Sequence, residues 1–205
     1  MKKSKAIIFD LGGVILNINY QNTIDKFLKL GVKNASTVYS NKIQTDLFNQ
    51  IETGKITDKK FLEELQTTTN ATIYQLKEAW NAMLLDLPKE RINLLEKLKA
   101  DFPIFLLSNT NAIHISAIKQ SLGESAYTKF YKLFNKVYYS HEIGFRKPNK
   151  EAFQLILKEN NLNANEVVFI DDSPQHIEGA KKIGMNTHHL KYGEEITTLF
   201  PDRVQ

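Results

Sequence analysis

Short apolar runs that alternate with helical patterns constrain the fold of this chain more than any other feature of its sequence. The runs have the length and β-rich composition of strands buried on both faces of a parallel sheet, and they occupy residues 6–9, 104–107, 137–139 and 167–170. Helical patterns lie between or after these runs at residues 91–99, 112–122, 150–160 and 175–183, and a further strand is expected near 187–190. Strands and helices that alternate in this way predict an α/β fold with a doubly wound, mainly parallel sheet.

The segment 20–88 breaks this alternation, because its apolar residues recur at helical spacing. Those residues are Ile24, Phe27, Leu28, Leu47, Ile51, Phe61, Leu62, Leu65, Leu76, Trp80, Met83 and Leu84. Gly31 and Gly54 punctuate the pattern. The sequence therefore predicts about four helices inserted after the first strand. They would form a small helical cap (20–88) on a core domain made of residues 1–19 and 89–205.

Composition argues against several classes of protein. The 27 basic and 23 acidic residues are dispersed along the 205-residue chain and leave a net charge of only +4, so no basic stripe for nucleic acid is expected. The chain has no cysteine, which excludes disulfides and thiolate metal sites and makes the cytoplasm the default location. Asp10 interrupts the first apolar run, and no run approaches the roughly 18 apolar residues of a membrane span. Neither a signal peptide nor a membrane segment is predicted.

Polar residues follow the strands of the predicted sheet at the edge where such sheets bind ligands, beyond the carboxyl ends of the strands. Asp10 follows the first strand, Ser108 the second and the pair Asp171-Asp172 the fourth, while Lys147 lies in the loop after the third. Each has an ordinary structural alternative: an Asx turn for Asp10, a helix cap for Ser108 and a solvated loop position for Lys147. Together they predict a site for phosphate and a metal ion.

The residue types indicate what such a site would do. A carboxylate such as Asp10 can attack phosphorus, a hydroxyl and N–H groups at a helix start can hold phosphate, and the Lys147 ammonium can offset its charge. Adjacent carboxylates at one strand end repel each other unless a cation relieves them, and their hard oxygens suit Mg²⁺. The five histidines do not form a ligand set, so they are assigned to ordinary surface or partly packed positions, and Arg146 is assigned to the surface.

Four segments resemble, in order, the sequence motifs of the haloacid dehalogenase superfamily: DLGGV (10–14), LSNT (107–110), RKP (146–148) and FIDDS (169–173). Their order differs from that of response-regulator receivers, in which an acidic pair comes first. The resemblance covers nearly the whole chain, with the insertion matching the cap of helical-cap (C1) members, and it implies a Rossmann-like core. Within the superfamily, LLSNTN, GFRKP and DDSPQHIEGA look most like segments of bacterial α-D-glucose-1-phosphate phosphatases.

The resemblance implies a Mg²⁺-dependent phosphatase that acts on a small phosphorylated metabolite through an aspartyl-phosphate intermediate. By the family pattern, Asp10 would be the nucleophile and Lys147 a second catalytic group. The residues that the pattern assigns to magnesium are Asp10, Gly12 through its backbone carbonyl, Asp171 and Asp172, and those that it assigns to phosphate are Ser108, Asn109 and Lys147.

Gly12 departs from the family pattern, which typically has a second aspartate two residues after the nucleophile to protonate the leaving oxygen. A site without this acid should favour a leaving group that needs little protonation, such as the anomeric hydroxyl of a sugar. The predicted type of substrate is therefore a sugar phosphate such as α-D-glucose 1-phosphate, and His141 and the cap residues are open candidates for the missing acid. The alternatives are a non-catalytic or regulatory phosphometabolite-binding protein, which Gly12 favours, and a dehalogenase, which needs no magnesium.

Overall fold

A single parallel sheet organises the chain. The computed structural model describes residues 4–32 and 46–203, so the first residues of the predicted core domain and residues 33–45 of the predicted cap lie outside the described part. Within that part the strands are β1 (Ala6–Phe9), β2 (Ile104–Ser108), β3 (Lys136–Tyr139), β4 (Val167–Asp171) and β5 (Asn186–His189). They pair in the order β3-β2-β1-β4-β5, and every neighbouring pair is parallel. The prediction of a doubly wound parallel sheet is confirmed.

Helices cover both faces of the sheet and form a separate insertion. The insertion between β1 and β2 contains α1 (Tyr20–Lys29), α2 (Asp46–Glu52), α3 (Asp58–Gln66) and α4 (Ile73–Asn81). The later helices are α5 (Lys89–Asp101), α6 (Ala112–Leu122), α7 (Glu124–Tyr131), α8 (Ser140–Ile143), α9 (Lys150–Glu159) and α10 (Pro174–Lys182). Short 3-10 helices lie at Ala164–Glu166, Ile196–Leu199 and Pro201–Arg203. None of the helices in the described ranges has the length and apolar character needed to cross a bilayer.

Alternate residues of each strand belong to different apolar clusters, which is why the runs are apolar throughout. In β1, Ile7 and Phe9 pack with residues of α5, α6 and α7, whereas Ala6 and Ile8 pack with residues of α9 and α10. All four residues of β1 are buried. The sheet is therefore a central layer between two layers of helices. Because helices cover both of its faces, a ligand site is expected at the carboxyl-terminal edge of the sheet.

The insertion has an apolar cluster of its own, centred on the fully buried ring of Trp80. Phe48 and Phe61 lie 5.2 and 5.3 Å from that ring, and Phe27 stacks on it at 6.2 Å. Helices α1, α3 and α4 begin at polar caps that satisfy free backbone N–H groups. Thr72 and Gln75 form a reciprocal capping box at α4, for example. Helix caps and a shared aromatic cluster thus stabilise the helices of this segment, and the helices were predicted from the helical spacing of its apolar residues.

The insertion packs closely on the core near the end of β3. Gly54, just after α2, has φ +65°, and a Cβ atom there would collide with the backbone oxygen of His141 in α8. Only a residue without a Cβ fits such a contact in this left-handed conformation. His141 lies in α8, and the sequence pattern predicted neither α7 nor α8.

Candidate active site

The strand order brings the predicted carboxylates and hydroxyl to one point of the sheet edge. Strand β1 lies between β2 and β4, so Asp10, Ser108 and Asp171 stand side by side at the carboxyl ends of three adjacent strands. Asp10 is 7% exposed, Ser108 3% and Asp171 0%. Asp172 follows directly, and one carboxylate oxygen from each of the three aspartates lies within 4.8 Å of the others.

Lys147 completes the cluster from the loop between α8 and α9. Its side chain is fully buried, and its ammonium donates hydrogen bonds to Asp10 Oδ1 at 2.7 Å and to Asp171 Oδ2 at 2.6 Å. The alternative of a solvated loop lysine is therefore wrong. The ammonium bridges the ends of two strands that are far apart in sequence.

Asn109 holds the backbone of Lys147 in place. Its Oδ1 accepts a hydrogen bond from the Lys147 backbone N–H, and its Nδ2 donates one to the Lys147 carbonyl, both at 2.9 Å. Nearby, the Ser140 hydroxyl bonds both the N–H and the carbonyl of Thr110, which ties α8 to the end of β2. These contacts make Asn109 a positioning residue for Lys147, and its predicted contact with phosphate stays a prediction.

The turn after β1 brings the chain close to Asp172. Gly13 has φ +78°, and a Cβ atom there would collide with the Asp172 carboxylate. The turn is closed by hydrogen bonds from Ile15 N–H and Leu16 N–H to the carbonyl of Leu11. The glycine is therefore required so that the two chain segments can meet at the carboxylate cluster.

Burial and mutual charge govern the ionisation of the three aspartates. Burial raises the pKa of Asp172 to about 7, and the neighbouring Asp10 and Asp171 carboxylates add to the effect. Burial also raises the pKa of Asp10 against the opposing charge of Lys147. For Asp171, burial acts in the same direction, but the charges of Lys147 and His176 outweigh it and hold the pKa well below its usual range. One ammonium thus serves three carboxylates, an excess of negative charge suited to a further cation.

Two residues of this site were not expected from the sequence. His176, in the first turn of α10, is partly packed as expected, but its Nδ1 lies 3.0 Å from both carboxylate oxygens of Asp171, a contact that the sequence did not predict. Arg146, assigned to the surface, instead has a side chain only 20% exposed and reaches the insertion, where it pairs with Glu52 at 3.0 Å. The surface assignment for Arg146 is wrong because Glu52, its partner, belongs to a helix distant in sequence, and the pairing could not be read from the residues around Arg146.

A small cavity lies over the cluster, between the sheet edge and the insertion. Its volume is about 70 Å³, and its walls include Asp10, Gly12, Ser108, Asn109 and Asp172 from the core. Tyr20, Glu52 and Met83 line it from the insertion, whereas His141 is absent from its described walls. Pockets for whole metabolites usually measure roughly 300–1,000 Å³, so side chains of the insertion must shift before a complete sugar phosphate can enter.

The sequence profile of haloacid dehalogenase-like hydrolases matches residues 4–184, which include every residue of this cluster. The chain belongs to this family. As expected for a haloacid dehalogenase-like hydrolase, it is similar to curated phosphatases. A D-ribitol-5-phosphate phosphatase of Bacteroides thetaiotaomicron is 28% identical over 201 residues, 95% of this chain and 98% of the relative. A sesquiterpene phosphatase of Aspergillus oryzae is 26% identical over 189 residues, 91% of this chain and 89% of the relative.

Solved structures of haloacid dehalogenase-like hydrolases match the fold over nearly all of the chain. A wild-type family enzyme from B. thetaiotaomicron, in complex with magnesium and inorganic phosphate, is 31% identical with a TM-score of 0.84, and the match covers 96% of this chain and 99% of that one. A family hydrolase from Porphyromonas gingivalis is 28% identical with a TM-score of 0.87, covering 99% and 98%. The expectation of a phosphatase with this fold is confirmed at the level of the family.

His114 packs between the core and the insertion of this hydrolase, and we expect it to make the stability of the protein depend on pH. The buried ring stacks on Trp80 at 4.5 Å, its Nε2 lies 3.2 Å from the Trp80 carbonyl, and burial lowers its pKa to about 4. Between about pH 6.5 and 4 the unfolded chain binds a proton that the native state does not, so stability falls as the pH falls. We expect a loss of about 3 kcal/mol across this window, at roughly 1.4 kcal/mol per pH unit.

The measurement is the free energy of unfolding in urea at pH 7 and pH 4.5 for the native chain and His114→Gln. The variant is expected to lose less stability on acidification than the native chain, because its side chain does not titrate. Equal losses in the two proteins would show that other groups account for the acid sensitivity.

Proposed function

We propose that the chain hydrolyses phosphomonoesters of small hydroxylated metabolites, sugar or polyol phosphates, through an aspartyl-phosphate intermediate on Asp10. The observation that carries the proposal is the buried cluster in which Lys147 bridges Asp10 and Asp171 beside Asp172 and Ser108. A carboxylate nucleophile, an ammonium, a hydroxyl and further carboxylates that can bind a metal ion are the groups that phosphoryl transfer requires. The similarity to a D-ribitol-5-phosphate phosphatase supports the choice of substrate class.

The residues present fit a magnesium ion. The three aspartates supply hard oxygen ligands within 4.8 Å of one another, and the backbone of the turn at Gly12 lines the same cavity. Burial and the two acidic neighbours of Asp172 raise its pKa to about 7. A cation there would balance the negative charge that Lys147 alone does not neutralise. We propose Asp10, the Gly12 carbonyl, Asp171 and Asp172 as the residues that hold it. Magnesium would supply positive charge for the transferring phosphoryl group.

Asp10 would carry out the covalent step. Its Oδ1 is bound by Lys147, so Oδ2 is the oxygen we propose for the attack on phosphorus. The new bond joins Oδ2 to phosphorus while the bond from phosphorus to the ester oxygen breaks, and the ester oxygen leaves with the electron pair and takes a proton from solvent. Water then attacks phosphorus, the bond from phosphorus to Oδ2 breaks with its electron pair on Asp10, and a proton of the water passes to solvent. Inorganic phosphate is released and the Asp10 carboxylate is restored.

Lys147 and Ser108 would hold the phosphoryl group during both steps. The buried ammonium lies between two carboxylates, and they raise its pKa despite the opposing effect of burial, so it stays protonated. Its position reduces the repulsion between the Asp10 carboxylate and a phosphate dianion. The hydroxyl of Ser108, 3% exposed at the end of β2, lines the same cavity and is placed to donate to a phosphate oxygen.

Gly12 is the basis for a finer proposal about the leaving group. No carboxylate stands at this position, and a Cβ there would lie 3.0 Å from Ile18 Cδ1, so a larger residue would displace that side chain. The ester oxygen must therefore leave without an acid from residue 12. An anomeric oxygen needs little protonation, and we propose a sugar 1-phosphate such as α-D-glucose 1-phosphate as the preferred substrate.

The helical insertion would act as the cap of the site. We propose residues 20–88 as the cap domain, with 1–19 and 89–205 as the core, because the insertion has its own aromatic cluster and supplies Tyr20 and Glu52 to the cavity wall. In this proposal the catalytic residues would come from the core, and residues of the insertion that line the cavity would face the leaving group.

The experiment is phosphate release from a panel of esters, with magnesium or with a chelator. The panel contains α-D-glucose 1-phosphate, glucose 6-phosphate, D-ribitol 5-phosphate and nitrophenyl phosphate. We expect magnesium-dependent turnover and a kcat/KM for the 1-phosphate above that for the 6-phosphate. Equal or better turnover of the 6-phosphate would overturn the account of Gly12 but not the phosphatase. Binding of these esters without any turnover would instead favour a non-catalytic role.

A further inference from the structure

A buried carboxylate of the insertion faces the reaction centre. Glu52, the last residue of α2, is 4% exposed and lines the same cavity as Asp10, Gly12 and Asp172. Burial of a carboxylate is costly unless charge and hydrogen bonds compensate it. A glutamate at this place therefore calls for a reason beyond packing.

Arg146 supplies the compensating charge from the core. Its Nη2 lies 3.0 Å from Glu52 Oε2, and its Nη1 donates a 2.6 Å hydrogen bond to Asn49 Oδ1 one turn earlier on α2. Arg146 immediately precedes Lys147, so the residue that fixes Glu52 is joined directly to the residue that binds Asp10. The pair is thereby fixed at a set position relative to the nucleophile.

Arg146 lies between the inner cavity and a larger outer cleft, and Glu52 lines the inner cavity beside it. Arg146 lines both the inner cavity and a cleft of about 520 Å³, which is bounded on the insertion side by Asn49 and Gln50. A substrate whose phosphate reaches Asp10 and whose remainder extends toward the cleft must pass Glu52 and Arg146. Glu52 and Arg146 are the ionic groups of this part of the wall. The insertion also lines the cavity with Tyr20, Met83 and Leu84.

We propose that Glu52, fixed by Arg146, determines specificity by accepting hydrogen bonds from hydroxyl groups of the leaving alcohol. The inference rests on the phosphatase proposed above and assigns its selectivity to one carboxylate. Hydroxyl donors would hydrogen-bond the Glu52 oxygens in place of water, whereas an apolar leaving group would exclude water from the same carboxylate and offer no hydrogen bond in exchange. The site therefore selects phosphomonoesters of polyhydroxylated alcohols over those of apolar alcohols.

The test compares kcat/KM for hydroxylated and unhydroxylated esters in the native chain and in Glu52→Gln. The hydroxylated esters are D-ribitol 5-phosphate and α-D-glucose 1-phosphate, and the others are nitrophenyl phosphate and hexyl phosphate. Selectivity is the ratio of kcat/KM between the two groups. We expect Glu52→Gln to reduce this ratio by about 10- to 100-fold, the range for a hydrogen bond to a charged group.

Two further variants keep the test decisive. Glu78→Gln makes the same change at an exposed position of α4, away from the cavity, and is expected to leave the ratio unaltered. Glu52→Asp keeps the charge but moves the carboxylate away from the cavity, and its ratio is expected to lie between those of the native chain and Glu52→Gln. It replaces Glu52→Gln in the test if Glu52→Gln does not fold. The thermal midpoint of each variant reports whether it is folded.

The outcomes separate this inference from the phosphatase on which it rests. A fall in kcat/KM of equal size for both groups of esters would give the Arg146–Glu52 pair a purely structural role and overturn the inference. An unchanged ratio in Glu52→Gln would also overturn it. A native chain that cleaves only the unhydroxylated esters would contradict the inference while the phosphatase stands, and one that cleaves none would remove the proposed function itself.

Discussion

Asp10→Asn is expected to lower kcat by at least about 10⁴-fold, because an amide oxygen cannot replace the carboxylate as nucleophile. The substitution keeps the shape of the side chain, and the amide oxygen can still accept the hydrogen bond from Lys147. The loss should therefore fall on kcat for every ester in the panel, with the protein still folded. The measurement is steady-state phosphate release at saturating substrate and magnesium.

The matched control for this substitution is Asp25→Asn, which makes the same change at an exposed position of α1. We expect its kcat to lie close to that of the native chain. Retention of more than a few per cent of activity in Asp10→Asn would mean that another group attacks phosphorus, and the assignment of Asp10 as nucleophile would fail.

Lys147→Met is expected to destabilise the metal-free protein by about 3–5 kcal/mol, the usual effect of removing one partner from a buried ion pair. The lysine side chain is fully buried between Asp10 and Asp171, so its loss leaves two carboxylates without their cation. Magnesium should restore part of the stability, because the proposed metal site exists in the native cluster and not in the unfolded chain. Activity should remain low with magnesium, since the metal does not replace the ammonium beside the nucleophile.

The measurement for Lys147→Met is the free energy of unfolding in urea, first with a chelator and then with saturating magnesium. Lys181→Met is the control, because Lys181 forms an exposed pair with Glu178 at 3.4 Å, and such pairs contribute about 1 kcal/mol at most. Equal stability of Lys147→Met and the native chain in the chelator would show that the cluster does not depend on this ammonium.

Residues that directly follow strands were predictable from the sequence. A buried strand is recognised from its own residues, and parallel strands end at the same edge, so Asp10, Ser108 and Asp171 could be assigned to one place before the structure was known. The segment 20–88 was recognised as helical from its spacing for the same reason. In both cases a strand or helix is recognised from its own residues, and the tertiary fold only brings these strands and helices together.

Contacts that depend on the path of loops were not predictable. The residue types at 144–148 do not by themselves distinguish Lys147, which enters the core, from Arg146, which reaches the insertion, and the assignment of Lys147 to the site rests on the resemblance to the family motif. Their directions follow from the Asn109 clamp on the Lys147 backbone and from the position of Glu52 on α2. Both partners are distant in sequence, so their pairing requires the tertiary fold.

His176 is a case in which a weak signal was present. It lies five residues after Asp171, in the first turn of a helix that starts directly behind β4. Side chains of a helix point back toward its N-terminus, so a first-turn residue can reach the end of the preceding strand. The spacing could have suggested the contact with Asp171, but only after the start of α10 was known.

The most direct test of the account is whether Asp10 becomes phosphorylated during turnover. The native chain would be mixed with α-D-glucose 1-phosphate or D-ribitol 5-phosphate and magnesium, quenched in acid within the first turnovers, digested and analysed by mass spectrometry. We predict a phosphoryl group on Asp10 in the peptide that spans β1, and none in Asp10→Asn or in the presence of a chelator. Rapid phosphate release with no phosphorylated Asp10 at any time of quenching would contradict the proposed mechanism.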